Sequence, residues 1–367
     1  MPGLGARLAA GFDRAFAAAF LRRSARARSR SRAESLGPEE RERALRAIVA
    51  LYDRPEHFAD DRGVFFGTVP RIAPRETQVR ALPGGGRVVD VSWPSGYTCF
   101  GDAVRDRYDA ATANARAHAR LTLHDDGRAH PAVLLIHGYL GGAHALEARA
   151  WPIEWLHRRG FDVALWVLPF HGLRSGGGAA RRPLWPSSDP RINVEGFRQA
   201  MHDLRALRAW LVARGAPAVG AMGMSLGGYT AALLATVDRD LAFAVPFIPL
   251  ASIADFARDG GRLVGTEDQR RIQHELLEDS VRVVSPLARA PLVPRDRILV
   301  VGGEADRITP LSHARRLAEH FGSELVVFRG GHLLQLGRSD AFRAVGRMLG
   351  RAGLIGSPGA PRAPECE

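Results

Sequence analysis

Residues 219–236 read VGAMGMSLGGYTAALLAT. Val219–Met222 is a short, continuous apolar run, as expected of a strand buried on both faces of a parallel sheet. Gly228–Thr236 is small, apolar and compatible with a helix packed on that sheet. Between them lies Gly223-Met224-Ser225-Leu226-Gly227. A serine presented on a sharp strand-to-helix turn needs flanking glycines, because a side chain there would strike the neighbouring backbone. In a chain of 367 residues with 40 glycines, G-x-S-x-G alone is a weak signal, and its flanks give it weight. Ser225 is therefore the candidate nucleophile.

The pattern repeats outward from this stretch. Val133–Ile136, Val163–Leu168, Ala242–Ile248, Ile298–Val301 and Leu325–Phe328 are further short apolar runs. Helical segments fill the gaps. In Asn193–Arg214, Val194, Phe197, Met201, Leu204, Leu207 and Leu211 line one face, with Asn193 as the expected cap and Gly215 as the stop. Such alternation predicts an α/β fold with a doubly wound, mostly parallel sheet. Earlier runs, Arg87–Ser92 and Ala117–Leu123, predict an antiparallel N-terminal edge. The turn Asp125-Asp126-Gly127 is expected to join the second of these to the next strand as a hairpin. A helix is expected over Pro38–Tyr52, where Pro38, Glu39 and Glu40 suit a helix start. Phe170–Ile192 and Ala251–Pro294 are long connections at the carboxyl ends of strands, where open α/β sheets bind ligands. The second is expected to contain a helix around Gln269–Asp279. The resulting division is a helical N-terminal extension with an Arg-rich linker over 1–60, an α/β domain over 61–355 with 251–294 as a candidate small cap, and a disordered tail over 356–367.

Three more loops carry chemistry. His137-Gly138-Tyr139-Leu140-Gly141-Gly142 follows the strand Val133–Ile136. The backbone N–H groups of Tyr139 and Leu226 could together hold a developing oxyanion, while the His137 side chain orders the loop. Asp306 follows the strand Ile298–Val301 in GGEAD and could fix the tautomer of a catalytic imidazole. Glu304 and Asp255 are its competitors. His332 follows the last strand in FRGGH, and its imidazole could work as a base near neutral pH. His171, Leu184 and Trp185, in the Phe170–Ile192 connection, join His137 as pocket candidates.

Ser225, Asp306 and His332 occur in the chain order that α/β hydrolases use. On the HG loop, G-M-S-L-G, G-E-A-D-R-I-T-P and G-G-H, residues 85–350 resemble the α/β-hydrolase superfamily of serine esterases and lipases. The resemblance implies cleavage of a carboxylic ester, thioester or lactone, with no metal or organic cofactor. Acyl transfer on the same triad, or a non-catalytic binding protein at a membrane, are the alternatives. The oxyanion loop is of the simple H-G-x type, not HGGG.

The net charge of +12 points to a nucleic-acid partner until it is dissected. All 51 basic residues are arginine, as GC-rich codon usage would produce without selection for a polyanion. Residues 1–34 hold eight arginines against Asp13 and Glu34, a net +6, so the other 333 residues share the remaining +6. The run RRSARARSRSR (22–32) has no aromatic residue to stack on bases, which argues against nucleic acid. Leu4, Leu8, Phe12, Phe16 and Phe20 would form one helical stripe. It could pack on the domain or, with residues 1–35 as a whole, make peripheral contact with a membrane. Ala15–Leu21 is too short to span a bilayer, and its flanking charges suit no signal peptide. A cytoplasmic protein is expected, acting on a small-molecule or lipid-like ester. The two cysteines, Cys99 and Cys366, allow no disulfide framework, and Cys99 reads as a small apolar residue.

Overall fold

A computed structural model describes residues 5–15, 36–59, 63–83, 85–177 and 183–355. Its strands are β1 (Arg75–Ala81), β2 (Arg87–Pro94), β3 (Arg116–Leu123), β4 (Ala132–Ile136), β5 (Asp162–Trp166), β6 (Val219–Met224), β7 (Ala244–Phe247), β8 (Leu299–Gly303) and β9 (Glu324–Phe328). Helices are α1 (5–15), α2 (Pro38–Tyr52), α3 (Arg105–Asp109), α4 (His144–Ala150), α5 (Ile153–His157), α6 (Pro190–Ala213), α7 (Leu226–Val237), α8 (Ile253–Asp259), α9 (Glu267–Val281), α10 (Leu311–Phe321) and α11 (Arg338–Arg351).

One nine-stranded sheet runs in the order β1-β2-β3-β5-β4-β6-β7-β8-β9. β1, β2 and β3 form the antiparallel edge, and all pairs from β5/β4 to β8/β9 are parallel. Apart from edge strand β9, where Val327 is exposed, the continuous apolar runs become strands covered on both faces. In β4, Leu134 and Ile136 join the α6, α7 and α10 side of the core, while Val133 and Leu135 join the side covered by α5 and α11.

The expected hairpin at Asp125–Gly127 does not form. β3 pairs antiparallel with β5, and β4 lies beyond β5, so the turn leads to a strand two places away. A local D-D-G signal specifies a reversal but not the pairing partner. Helix α6 also starts earlier than expected. Asp189 caps it by accepting from Arg191 N at 3.1 Å, with Pro190 at the first helical position. Asn193 lies inside the helix, where its amide instead bonds Ser187 N and O at 2.8 Å each. The helix expected over Gln269–Asp279 is longer at both ends, and a capping box of Thr266 and Gln269 sets its start.

The N-terminal part is bound into the domain. α2 spans the expected residues, and its Tyr52 donates from the ring hydroxyl to Glu195 of α6 at 3.1 Å. Buried Glu195 also accepts from Phe100 N at 3.0 Å, Gly101 N at 2.9 Å and the Tyr97 hydroxyl. Arg282 pairs with Asp53 at 2.9 Å. In α1 the two described residues of the apolar stripe do not face the domain. Leu8 and Phe12 are 63% and 53% exposed, whereas Ala9, Ala10 and Asp13 are buried, the two alanines against Ala305. Leu4, Phe16, Phe20, the 22–32 run, Cys366 and the 356–367 tail lie outside the described residues. Cys99 is buried, and burial pushes its thiol up to about 12. Among the described residues no helix is long and apolar enough to cross a membrane.

Candidate active site

Ser225 joins β6 to α7 with φ 58° and ψ −114°, a left-handed conformation that a side-chain-bearing residue adopts only under constraint. The constraint comes from close backbone approach. A Cβ on Gly223 would lie 1.9 Å from Gly227 O, and one on Gly227 would lie 2.1 Å from Ile136 O. Both positions therefore require glycine. Ser225 N donates to Phe247 O at 2.9 Å, which fastens the turn to β7. Leu226 opens α7, so its N–H is among those with no acceptor inside the helix.

The loop after β4 covers this turn. A Cβ on Gly138 would sit 3.4 Å from Ser225 Cβ and 3.9 Å from its Oγ. His137 holds the loop in place: Nδ1 bonds Gly138 O at 2.7 Å, and Nε2 accepts from Leu168 N at 3.1 Å. Burial lowers its pKa to about 3, which keeps the ring neutral and suits this donor–acceptor pairing. Glu147 accepts from Gly142 N at 2.9 Å, and burial raises its carboxyl above the usual range.

His171 is buried edge-on to Tyr139 and Trp185, with centroids 5.8 and 6.0 Å away, and bonds Pro169 O at 2.8 Å through Nδ1. Burial lowers its pKa to about 4. Trp185 is buried between His171 and Phe197, and half-buried Leu184 packs on the same core. These side chains pack into the core beside the loop after β4.

Asp306 and His332, on the loops after β8 and β9, meet at 2.8 Å between Oδ2 and Nδ1. Asp306 is buried, and its Oδ1 accepts from Ile308 N and Thr309 N, both at 2.8 Å. The Thr309 hydroxyl lies 3.1 Å from Asp306 Oδ2, 3.0 Å from His332 Nδ1 and 3.0 Å from Ile248 O. Gln335 ties the His332 loop to the serine turn. Its Nε2 donates to His332 O at 3.0 Å and lies 3.3 Å from the sulfur of Met224, the neighbour of Ser225. The two competing carboxylates are placed otherwise. Glu304 is exposed, and Asp255 is held by His274, Arg316 and Arg258 at 2.8–2.9 Å. Asp255, His274 and Glu278 have metal-ligand spacing, but Arg258 and Arg316 already neutralise that cluster.

Thr309 and Gln335 were missed by sequence reasoning. The only local signal is that Thr309 follows Asp306 by three residues and Gln335 follows His332 by three.

No family model matches this chain. An uncharacterized protein of Mycobacterium tuberculosis, found in two strains, is 33% identical over 277 residues, covering 73% of this chain. The match spans 65% of the length of those relatives. Among solved structures, an acetyl xylan esterase from Paenibacillus sp. R4 superposes with a TM-score of 0.56 at 16% identity, covering 84% of this chain and 99% of that one. Acetyl xylan esterase 1 from Thermoanaerobacterium sp. JW/SL YS485 gives 0.54 at 17% identity, covering 83% and 98%. At such identity the likeness is one of architecture. With its mostly parallel nine-stranded sheet, antiparallel N-terminal edge and serine turn after β6, the chain has the α/β-hydrolase fold.

Proposed function

We propose that the chain is a serine hydrolase that cleaves a carboxylic ester, thioester or lactone through an acyl-enzyme. The observation that carries this reading is the buried Asp306–His332 pair tied by Gln335 to the strained Ser225 turn. In the proposed reaction His332 Nε2 takes the Ser225 proton as Oγ bonds to the substrate carbonyl carbon. The carbonyl oxygen becomes an oxyanion, held by the Tyr139 and Leu226 amides. The C–O or C–S bond then breaks, and the leaving group takes the proton from His332. Water, deprotonated by His332, attacks the acyl-enzyme, and Ser225 recovers its proton as the acid departs. Asp306 holds the Nδ1–H tautomer and stabilises the imidazolium throughout.

The two superposed acetyl xylan esterases make short acyl esters, acetylated xylan included, the first substrates to try. A second reading, peripheral contact with a membrane, is favoured by the exposed Leu8 and Phe12 beside an Arg-rich segment. It would make the substrate lipid-like.

The test is labelling of the purified chain with a fluorophosphonate probe and mapping of the adduct. A single adduct on Ser225, lost in Ser225→Ala and His332→Ala, supports the hydrolase. A folded chain that takes no label and turns over no ester refutes it in favour of a non-catalytic binding protein. A labelled chain that passes its acyl group to added alcohols faster than to water is an acyltransferase.

A further inference from the structure

Asp13 lies far outside the hydrolase motifs, yet it touches the loops of both Asp306 and His332. Its Oδ2 accepts from His332 N at 2.7 Å and from Arg307 N at 3.2 Å, and its Oδ1 accepts from Leu333 N at 3.0 Å. The side chain is fully buried. A carboxylate is tolerated at such a position only when its lone pairs are used, and here backbone donors occupy both oxygens.

The fit is close on both sides. A Cβ on Gly331 would lie 2.5 Å from Asp13 Oδ2, so the loop can present its amides only because residue 331 is glycine. On the helix side, Ala9 and Ala10 pack flat on Ala305 beside Asp306. One oxygen bonded to Arg307 N and His332 N bridges the acid loop and the base loop directly.

Given the hydrolase reading of Ser225 and His332, we propose that Asp13 is a positioning residue for catalysis. It fixes the separation and pitch of the Asp306 and His332 loops, so that the imidazole keeps its bond to Asp306 and the orientation the proposed reaction requires. Helix α1 thereby becomes part of the active-site scaffold. Angstrom-scale misplacement of a catalytic group costs on the order of 100-fold in rate.

The two substitutions should differ in a defined way. In Asp13→Asn the carbonyl oxygen should take the doubly bonded Oδ2 place, leaving the amide NH2 against Leu333 N. In Asp13→Ala all three donors lose their acceptor. The experiment measures kcat and KM for hydrolysis of p-nitrophenyl acetate, together with amide hydrogen exchange of residues 329–336, on the unaltered chain and both variants. Expected for Asp13→Ala is a kcat about 10–100-fold lower, with KM within about twofold. Asp13→Asn should fall less.

The Leu333 amide should exchange at least tenfold faster in Asp13→Asn, and those of His332 and Leu333 in Asp13→Ala. Gly11→Ala controls for altering the helix itself, because nothing lies within 4 Å of its added Cβ, and it should change none of these readings.

Folded variants with the kcat and amide exchange of the unaltered chain would overturn the proposal. So would a loss of rate that merely follows the folded fraction. If Asp13→Ala does not fold, Asp13→Asn decides. If the unaltered chain neither hydrolyses ester nor takes fluorophosphonate, the hydrolase reading fails on its own, and amide exchange still decides whether Asp13 holds the loop.

Discussion

Asp306→Asn is the sharpest test of how His332 is held. The change is isosteric, so packing should survive it. What changes is the chemistry of one atom, and the structure dictates which. Oδ1 accepts two backbone amides at 2.8 Å, whereas Oδ2 faces His332 Nδ1 and the Thr309 hydroxyl. An asparagine will keep its carbonyl toward the two amides, because the flipped rotamer strands two buried donors at about 1–3 kcal/mol each.

Its NH2 then points at His332 Nδ1 and can be satisfied only if that nitrogen carries no hydrogen. The proton moves to Nε2, and the ring offers Ser225 a donor where the proposed reaction needs an acceptor. Loss of the correct tautomer costs about 10⁴-fold in kcat, or about 5 kcal/mol of barrier. The assay is steady-state hydrolysis of a p-nitrophenyl ester with a thermal melt of the same sample. The expected result is a kcat lower by three to four orders of magnitude with a nearly unchanged midpoint. A folded variant within tenfold of the unaltered kcat would refute both the role of Asp306 and the rotamer argument.

Further expectations concern the frame of the site. Gly227→Ala forces a Cβ to 2.1 Å from Ile136 O and 2.6 Å from His137 O, which no rotamer relieves. It should lower stability by about 1–3 kcal/mol or more in chemical denaturation and abolish fluorophosphonate labelling, and a labelled, fully stable variant would contradict it. Glu195→Leu strands the Tyr52 and Tyr97 hydroxyls and the Phe100 and Gly101 amides, so urea unfolding should show a loss of at least about 3 kcal/mol.

Burial lowers the pKa of His118 to about 4, that of His137 to about 3 and that of His171 to about 4. Below about 6.5 the unfolded chain gains protons at these rings that the folded chain refuses, so stability is full above that value and declines toward 4. The thermal midpoint should drop between roughly pH 7.5 and 5.5, and an unchanged midpoint over that window would speak against neutral buried rings.

What the sequence revealed and what it concealed follow from how local each signal is. The parallel strands were legible because burial on both faces leaves a continuous apolar run, as in Val133–Ile136. β1 was not, because RETQVRA is exposed at every position and carries no periodicity. The turn at Asp125–Gly127 misled because strand order is decided by the whole sheet, not by the turn. Ser225, Asp306 and His332 could be named because each sits on a loop leaving a strand, where the structure also has them. Gln335 and Asp13 could not. Their partners lie 111 and up to 320 residues away, a distance no window of sequence pattern crosses.

The bond between Asp13 and His332 also sets a schedule for the growing chain. Its two ends are separated by 319 residues, so at roughly 5–20 residues per second the helix that bears Asp13 waits on the order of 16–60 s for its loop to be synthesised. Ala305 and the Arg307 amide, which Ala9, Ala10 and Asp13 also meet, emerge about 25 residues earlier. A nascent or truncated chain stopping short of residue 332 would leave Asp13 without the His332 and Leu333 amides. The bridge between the Asp306 and His332 loops therefore joins a helix made early to a loop made more than 300 residues later.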